Sequence, residues 1–417
     1  MSAATETIAR IGKPDNLSLY HLLDPAVLAD PYPLYHRLQT EDPVHWDPFL
    51  HAWVVTRYAD VLWVVQNFSA KCAPNPEQMT AIGVADMGPI ADTMTRQMLF
   101  MDPPTHTRLR ALASQAFTPK RVEGLRSHIQ EIVDGLLDSV LRAGGMDVLE
   151  DFANPLPAIV TAELLGLPPS DHRQLKAWSA DFAEILGNFQ HNPDQIPRML
   201  RTLEQMKVYF AEAIRDHRKN PKHAVIDALL NAELDGERLN DDAIIANCIL
   251  VMVGGQETTP NLIGNGTLTL LRNPVQLDRL REDRSLVPSA IEELLRYESP
   301  SQHTTRLATR DVELGDKTIH KGQAVIVVMG AANRDPERFP DPDSVDIVRK
   351  DNKHLAFGGG GHFCFGAPLA RIEGHIAFDT ILLRIPNLVL GTGPLTWRNN
   401  QGLRGLVALP VTFTNRS

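Results

Sequence analysis

The sequence predicts a mainly α-helical fold with small β-sheets. Three observations lead there. Apolar residues recur at spacings of three and four through most of the chain, strand-like runs are short and fall late, and one helical pattern runs far past ordinary length. The 417 residues include 43% hydrophobic and 22% charged side chains, a globular balance that can bury a large core and enclose a cofactor. We find no internal repeat, low-complexity tract or linker, so a single large domain over 1–417 is expected.

In chain order, Met1 to Leu23 mixes charged and polar residues and lacks the apolar core of a signal peptide. Val44, Trp46, a turn near Asp47-Pro48 and then Ala52-Trp53-Val54-Val55 predict a short hairpin within Val44–Tyr58. Val122, Leu125, Ile129, Ile132, Leu136 and Val140 lie on one helix face, which Gly144-Gly145 closes. Further helical patterns cover Asp171–Gly187, Ile196–Lys219 and Pro288–Tyr297, and strand-like runs fall at Ala324–Val328, Leu388–Leu390 and Gly405–Leu409.

The long pattern runs from Asp241 to Arg272, about 48 Å at 1.5 Å per residue. Asn240 or Asp241 can cap its start and Asn273-Pro274 ends it. Gly254-Gly255 and Pro260 are each unfavourable inside a helix. A long buried helix with a weakened middle implies that something lies against that middle. Pro260 cannot bond the Gln256 carbonyl, and we expect this to widen a kink and help hold a water.

Bulk properties exclude several classes. A formal charge of −10, from 41 basic and 51 acidic residues, argues against a general nucleic-acid binder. Cys72, Cys248 and Cys364 form no CxxC pair, so a disulfide scaffold is excluded and a reducing compartment fits. The longest apolar runs, such as Ile249–Val253 and Ala324–Met329, fall far below the ~18 residues of a membrane span. The expectation is a cytoplasmic protein with no membrane and no nucleic-acid partner.

The chemistry centres on Phe357-Gly358-Gly359-Gly360-Gly361-His362-Phe363-Cys364-Phe365-Gly366. Its glycines permit tight turns and close backbone approach, and a helical pattern, Ala367–Phe378, follows. The spacing matches neither dinucleotide nor P-loop phosphate motifs. A Cys/His nucleophilic site is a second reading, and an isolated cysteine would more often be structural.

The pattern FxxGxHxCxG resembles the haem-binding loop of the cytochrome P450 family, on Phe357, Gly360, His362, Cys364 and Gly366 and onward through Ala367 and Leu369-Ala370-Arg371. The resemblance extends from about Pro31 to Val411, with 1–30 an N-terminal extension, and implies that family's fold around a buried haem b. It makes Cys364 the axial thiolate ligand to iron, with Phe357, His362 and Gly366 lining the cofactor.

Four other segments agree with the family in order. Asp102-Pro103-Pro104 precedes His106 and Arg110, which share a helix face and, by resemblance, hold a haem propionate. Gly254-Gly255-Gln256-Glu257-Thr258-Thr259 looks like the oxygen-activation segment, with Gly254 where alanine is commoner. Glu257 and Thr258 then form an acid–alcohol proton relay. Glu293-Leu294-Leu295-Arg296 is an ExxR whose later arginine is taken as Arg338, with Arg349 as the alternative. In Ser299–Arg306, Arg306 is placed at a propionate and His303 and Thr304 near substrate, without a catalytic role for His303. Trp397-Arg398 and Arg404-Gly405-Leu406 fit a C-terminal strand pair.

Met79, Met87, Met94, Met98 and Met101 cluster where the family borders its substrate, as does Phe182–Phe189; loop packing against the core is the competing reading. The resemblance implies a haem-dependent monooxygenase that inserts one oxygen atom into a mainly apolar small molecule by hydroxylation or epoxidation, in secondary metabolism. It also implies a monomer fed by ferredoxin and ferredoxin reductase. The alternatives are a peroxide-driven peroxygenase, against which the intact Glu257-Thr258 pair argues, and a non-catalytic haem sensor or docking module, which needs no relay.

Overall fold

The computed structural model describes residues 16–81, 83–188, 193–234 and 237–414. Phe189, at the end of one expected pocket segment, lies outside the described residues. Helices dominate. Those that matter below are α1 (Tyr58–Asn67), α2 (Thr105–Ala113), α3 (Arg126–Leu141), α4 (Pro155–Leu165), α5 (His172–Gly187), α6 (Ile196–Lys219), α7 (Asp241–Arg272), α8 (Val287–Tyr297) and α9 (Ala367–Arg384).

α7 is the axle of the molecule. The Asn240 side chain accepts the Ala243 N–H at 2.9 Å and caps its start, and Asn273 follows its last turn. Ile249, Val253, Ile263 and Leu268 are almost fully buried in the main core, with Phe152, Val160, Phe210 and Ile376 from surrounding elements. A helix apolar on most sides is stable only when other helices surround it. The same burial keeps α7 helical through Pro260.

A four-stranded sheet runs in the order β1 (Val44–Asp47), β2 (Ala52–Val55), β5 (Ala324–Val328), β4 (His303–Leu307). β1 and β2 form the expected hairpin, with Val44 opposite Val55. β2 and β5 are parallel, and β4 pairs antiparallel with β5, with Arg306 opposite Val325. This register places Arg306 one strand removed from the N-terminal hairpin, with Val325 between it and Trp53. A smaller sheet joins β6 (Val389–Leu390), β7 (Pro410–Thr412) and β3 (Gly145–Asp147).

Two expectations shift. The helix expected over Val122–Val140 is interrupted at Leu125, giving Pro119–Gly124 and then α3. The strand expected at Gly405–Leu409 falls at Pro410–Thr412 instead. Leu406 and Leu409 are buried in the core, and Met146 of β3 lies opposite Val411. The C-terminal pair is present as a bridge between Trp397 and Leu406, with the Arg398 N–H donating to the Gly405 carbonyl at 2.9 Å. Among the described residues, no helix is long and apolar enough to cross a membrane.

Candidate active site

The cysteine loop owes its path to its glycines. Gly360 has φ +61, and a Cβ there would press on Gln66 and the Val65 carbonyl of α1 at 3.2 Å. Any larger residue would push the loop off α1. The Cys364 N–H donates to the Phe357 carbonyl at 2.9 Å, which closes the loop below the sulfur. Arg371, one turn into α9, lies over the Phe357 ring at 4.7 Å.

Cys364 is exposed on one side, although protein surrounds it at longer range. Burial pushes its thiol up. The nearby Gly366 and Ala367 N–H groups and the Arg110 and Arg371 charges act in the opposite direction. Amides aimed at sulfur stabilise negative charge there, as a thiolate ligand requires.

Four basic groups converge beside this loop. The His106 and His362 rings stack at 3.9 Å between centroids. Arg110, one turn along α2, donates to the Phe363 carbonyl and lies over the Phe365 ring at 5.7 Å. Arg306 donates to the Thr305 carbonyl at 2.8 Å and the Thr304 hydroxyl at 3.2 Å. Desolvation, then His106, Arg306 and Arg110, pull the His362 imidazole down to about 4. Desolvation and Arg110 lower that of His106. Asp102 offsets these charges only in part, because Ser69 Oγ and the Ala70 N–H already hold its carboxylate at 2.5 and 2.9 Å. Among the described residues, the buried Arg306 Nε and His362 Nε2 have no hydrogen-bond partner.

The middle of α7 carries the remaining expected residues. Gly254 is exposed although the turns on either side of it are largely buried, and a Cβ there would meet nothing within 4 Å. Gly255 is different, because a Cβ there would collide with Thr161 of α4. Thr258 Oγ1 donates back to the Gly254 carbonyl at 2.9 Å.

Glu257 is fully buried on another side of α7. Its Oε1 accepts from Lys176 Nζ at 2.6 Å and Ser179 Oγ at 3.0 Å, and its Oε2 from Arg398 Nη1 at 2.6 Å. Burial pushes this carboxyl up, but Lys176 and Arg398 outweigh it and hold it below the ordinary carboxylate range. The sequence reading missed Lys176, Ser179 and Arg398. The available signal was the placement of a glutamate on a buried helix, since such a charge needs a cation.

The Gln256 carbonyl freed by proline accepts from the Lys176 ammonium at 2.8 Å, a partner the sequence did not suggest. The arginine paired with Glu293 is corrected. Arg349 Nε lies 3.1 Å from Glu293 Oε2, whereas Arg338 pairs with Asp351 at 3.1 Å. Arg296 completes this fully buried network through both Glu293 oxygens at 2.8 Å and the Asn333, Pro342 and Ser344 carbonyls. His303 packs against Gly402 of the C-terminal loop. Met79 and Met87 pack with Ala91, and Met98 enters the main core.

A thiol on a glycine-rich loop, basic side chains beside it and a bare stretch of helix together suit a flat, carboxylate-bearing metal cofactor bound through sulfur. A family model for cytochrome P450 matches residues 85–390. The chain is 36% identical over 398 residues to the polyketide biosynthesis cytochrome P450 PksS of Bacillus subtilis (strain 168), covering 92% of this chain and 96% of that one. It is 39% identical over 389 residues to the biotin biosynthesis cytochrome P450 of the same organism, covering 93% and 97%. P450BioI, solved with an acyl carrier protein ligated to hexadec-9Z-enoic acid, superposes with TM-score 0.87 at 38% identity, over 93% of this chain and 99% of that one. Myxobacterial CYP267B1, solved with myristic acid, gives 0.86 at 38% identity, over 96% and 100%.

The chain belongs to the cytochrome P450 family. It is a haem-dependent monooxygenase, with haem b as cofactor. The residues present fit that group, since the unpartnered Arg306 and His362 nitrogens and the surplus of positive charge suit its carboxylates.

Proposed function

We propose that Cys364 would hold the haem iron as a thiolate, that His106, Arg110 and Arg306 would take its propionates, and that Phe357, His362 and Gly366 shape the loop that presents the cysteine. One observation carries this reading: an exposed sulfur, whose ionised form two nearby backbone amides favour, sits beside Arg110 and Arg306, and Asp102 offsets the charge of this cluster only in part. Bound haem supplies the oxygen chemistry, by which one oxygen atom enters the substrate and the other leaves as water. The chain's own groups bind, orient and move protons.

Gly254 leaves room for the cofactor at the backbone. Thr258 presents a hydroxyl on the same turn, and Glu257 is the acid from which that hydroxyl is resupplied. Lys176 and Arg398 hold Glu257 ionised, so proton transfer through it requires a bridge to loosen. The substrate is a mainly apolar small molecule. Relatives solved with a carrier-bound acyl chain, myristic acid and testosterone share apolar bulk and little else. Electrons come from a ferredoxin-type partner and its reductase, and the protein works in the cytoplasm.

Cys364→Ala is expected to remove the thiolate-type spectrum of the reduced carbonyl complex; persistence of that spectrum would disprove the ligand assignment. Thr258→Ala should divert reducing equivalents to peroxide and cut product per electron pair roughly tenfold. That is less than the ~10²–10⁴ of a full general-acid contribution, because water can substitute in part. Unchanged coupling would remove Thr258 from proton delivery.

A further inference from the structure

A proline inside a helix leaves one carbonyl without its usual donor. In α7 that carbonyl is Gln256, and Lys176 of α5 reaches it at 2.8 Å. The same ammonium lies 2.6 Å from Glu257 Oε1. Two acceptors on consecutive residues therefore hold one flexible side chain. The proline ring also crowds the carbonyl four residues earlier and tilts it away from the helix axis.

We propose that Pro260 is a positioning residue: by withholding an N–H from Gln256 it gives Lys176 a second anchor, and so fixes the ammonium that neutralises Glu257. Lys176 has three N–H donors and a four-carbon stem with many rotamers. Its side chain is 19% exposed, so few of those donors can turn to water. Glu257 Oε1 is already shared with Ser179, and Oε2 belongs to Arg398. With an ordinary residue at 260, the Gln256 carbonyl would be occupied within the helix. Lys176 would then compete for one crowded carboxylate oxygen while partly buried, which costs free energy. Pro260 thus acts on proton delivery through a side chain on another helix. Both kinds of contact needed are present: an α7 carbonyl open to α5, and a lysine that spans carbonyl and carboxylate.

The effect on proton delivery rests on the role proposed for Glu257, but the lysine anchor can be read without it. Haem-loaded protein is treated with limiting acetic anhydride, and acetylation of each lysine is quantified by mass spectrometry. Wild type should protect Lys176. In Pro260→Ala, Lys176 acetylation should rise about tenfold, the weight of one hydrogen bond to a charged group, while other lysines stay unchanged. Unchanged Lys176 acetylation would overturn the anchor. A second arm measures the pH dependence of peroxide leak in Pro260→Ala, Lys176→Met and the double variant. Pro260→Ala should shift the profile in the same direction as Lys176→Met and add nothing to it in the double variant. Additive shifts, or no shift from Pro260→Ala, would show that proline does not act through Lys176 on the reaction.

Discussion

Two charged clusters flank the cysteine loop, and they are built on opposite principles. Around Glu293 the guanidinium donors are answered: one carboxylate meets both Arg296 and Arg349, and backbone carbonyls take up the further donors. Around His106 the charges are like charges, Arg110 and Arg306, and they push the neighbouring His106 and His362 imidazoles toward their neutral form. A complete network stabilises a fold, whereas an incomplete one is stabilised by what it binds. Burying unbalanced charge is costly, and a protein that does so has a ligand of opposite sign to receive.

The largest expected effect comes from breaking the complete network. Glu293→Gln would leave two guanidiniums facing each other in a dry interior, a loss of about 3–5 kcal/mol, and should appear as a large fall in the denaturant midpoint even without haem. A variant as stable as wild type would mean that the network is not a structural lock. Arg306→Gln should sharpen the contrast. Haem affinity is expected to fall about tenfold or more, the weight of one charge-assisted hydrogen bond. Apo-protein stability should hold or rise, because a like charge has gone. A fall in apo stability resembling that of Glu293→Gln would erase the distinction between the two clusters.

The smallest effect concerns Glu292, next to Glu293. Burial pushes its carboxyl up, but hydrogen bonds from Arg371 and His354 outweigh this and hold it at about 2. A carboxyl lower in the folded than in the unfolded state stabilises fully above its unfolded value, near 4.3. That stability is lost as pH falls through about 2. Wild type should therefore lose stability more steeply between pH 5 and 2 than Glu292→Gln, as followed by denaturation at each pH. Parallel curves would remove Glu292 from the acid-sensitive set.

The sequence exposed those features that local spacing encodes. Ile196–Lys219 was legible to the residue because burial follows a helical period there, and Asp241–Arg272 because Asn240 can cap its start and Asn273-Pro274 ends it. His106 and Arg110 were placed together by a spacing of four, and Cys364 by its glycines. Partners brought by distant elements were not legible. Arg338 and Arg349 lie in the same loop region, and only the path of that loop decides that Arg349 turns inward. Lys176 and Arg398 are separated from Glu257 by 81 and 141 residues, and nothing local marks either as its partner. The Leu125 break also escaped, since the apolar spacing continues across it.

Arg398 has a further consequence, for the order in which the molecule is made. It comes within the last twenty residues of a 417-residue chain. On the ribosome, α7 is complete long before this arginine leaves the exit tunnel, and a chain growing at about 5–20 residues per second leaves a delay of many seconds. During that delay Glu257 has at most the lysine of α5 for company. The Glu257 side of the site can therefore reach its final charge balance only after Arg398 has emerged and folded back onto α7, and the C-terminal hairpin acts as a late step of assembly.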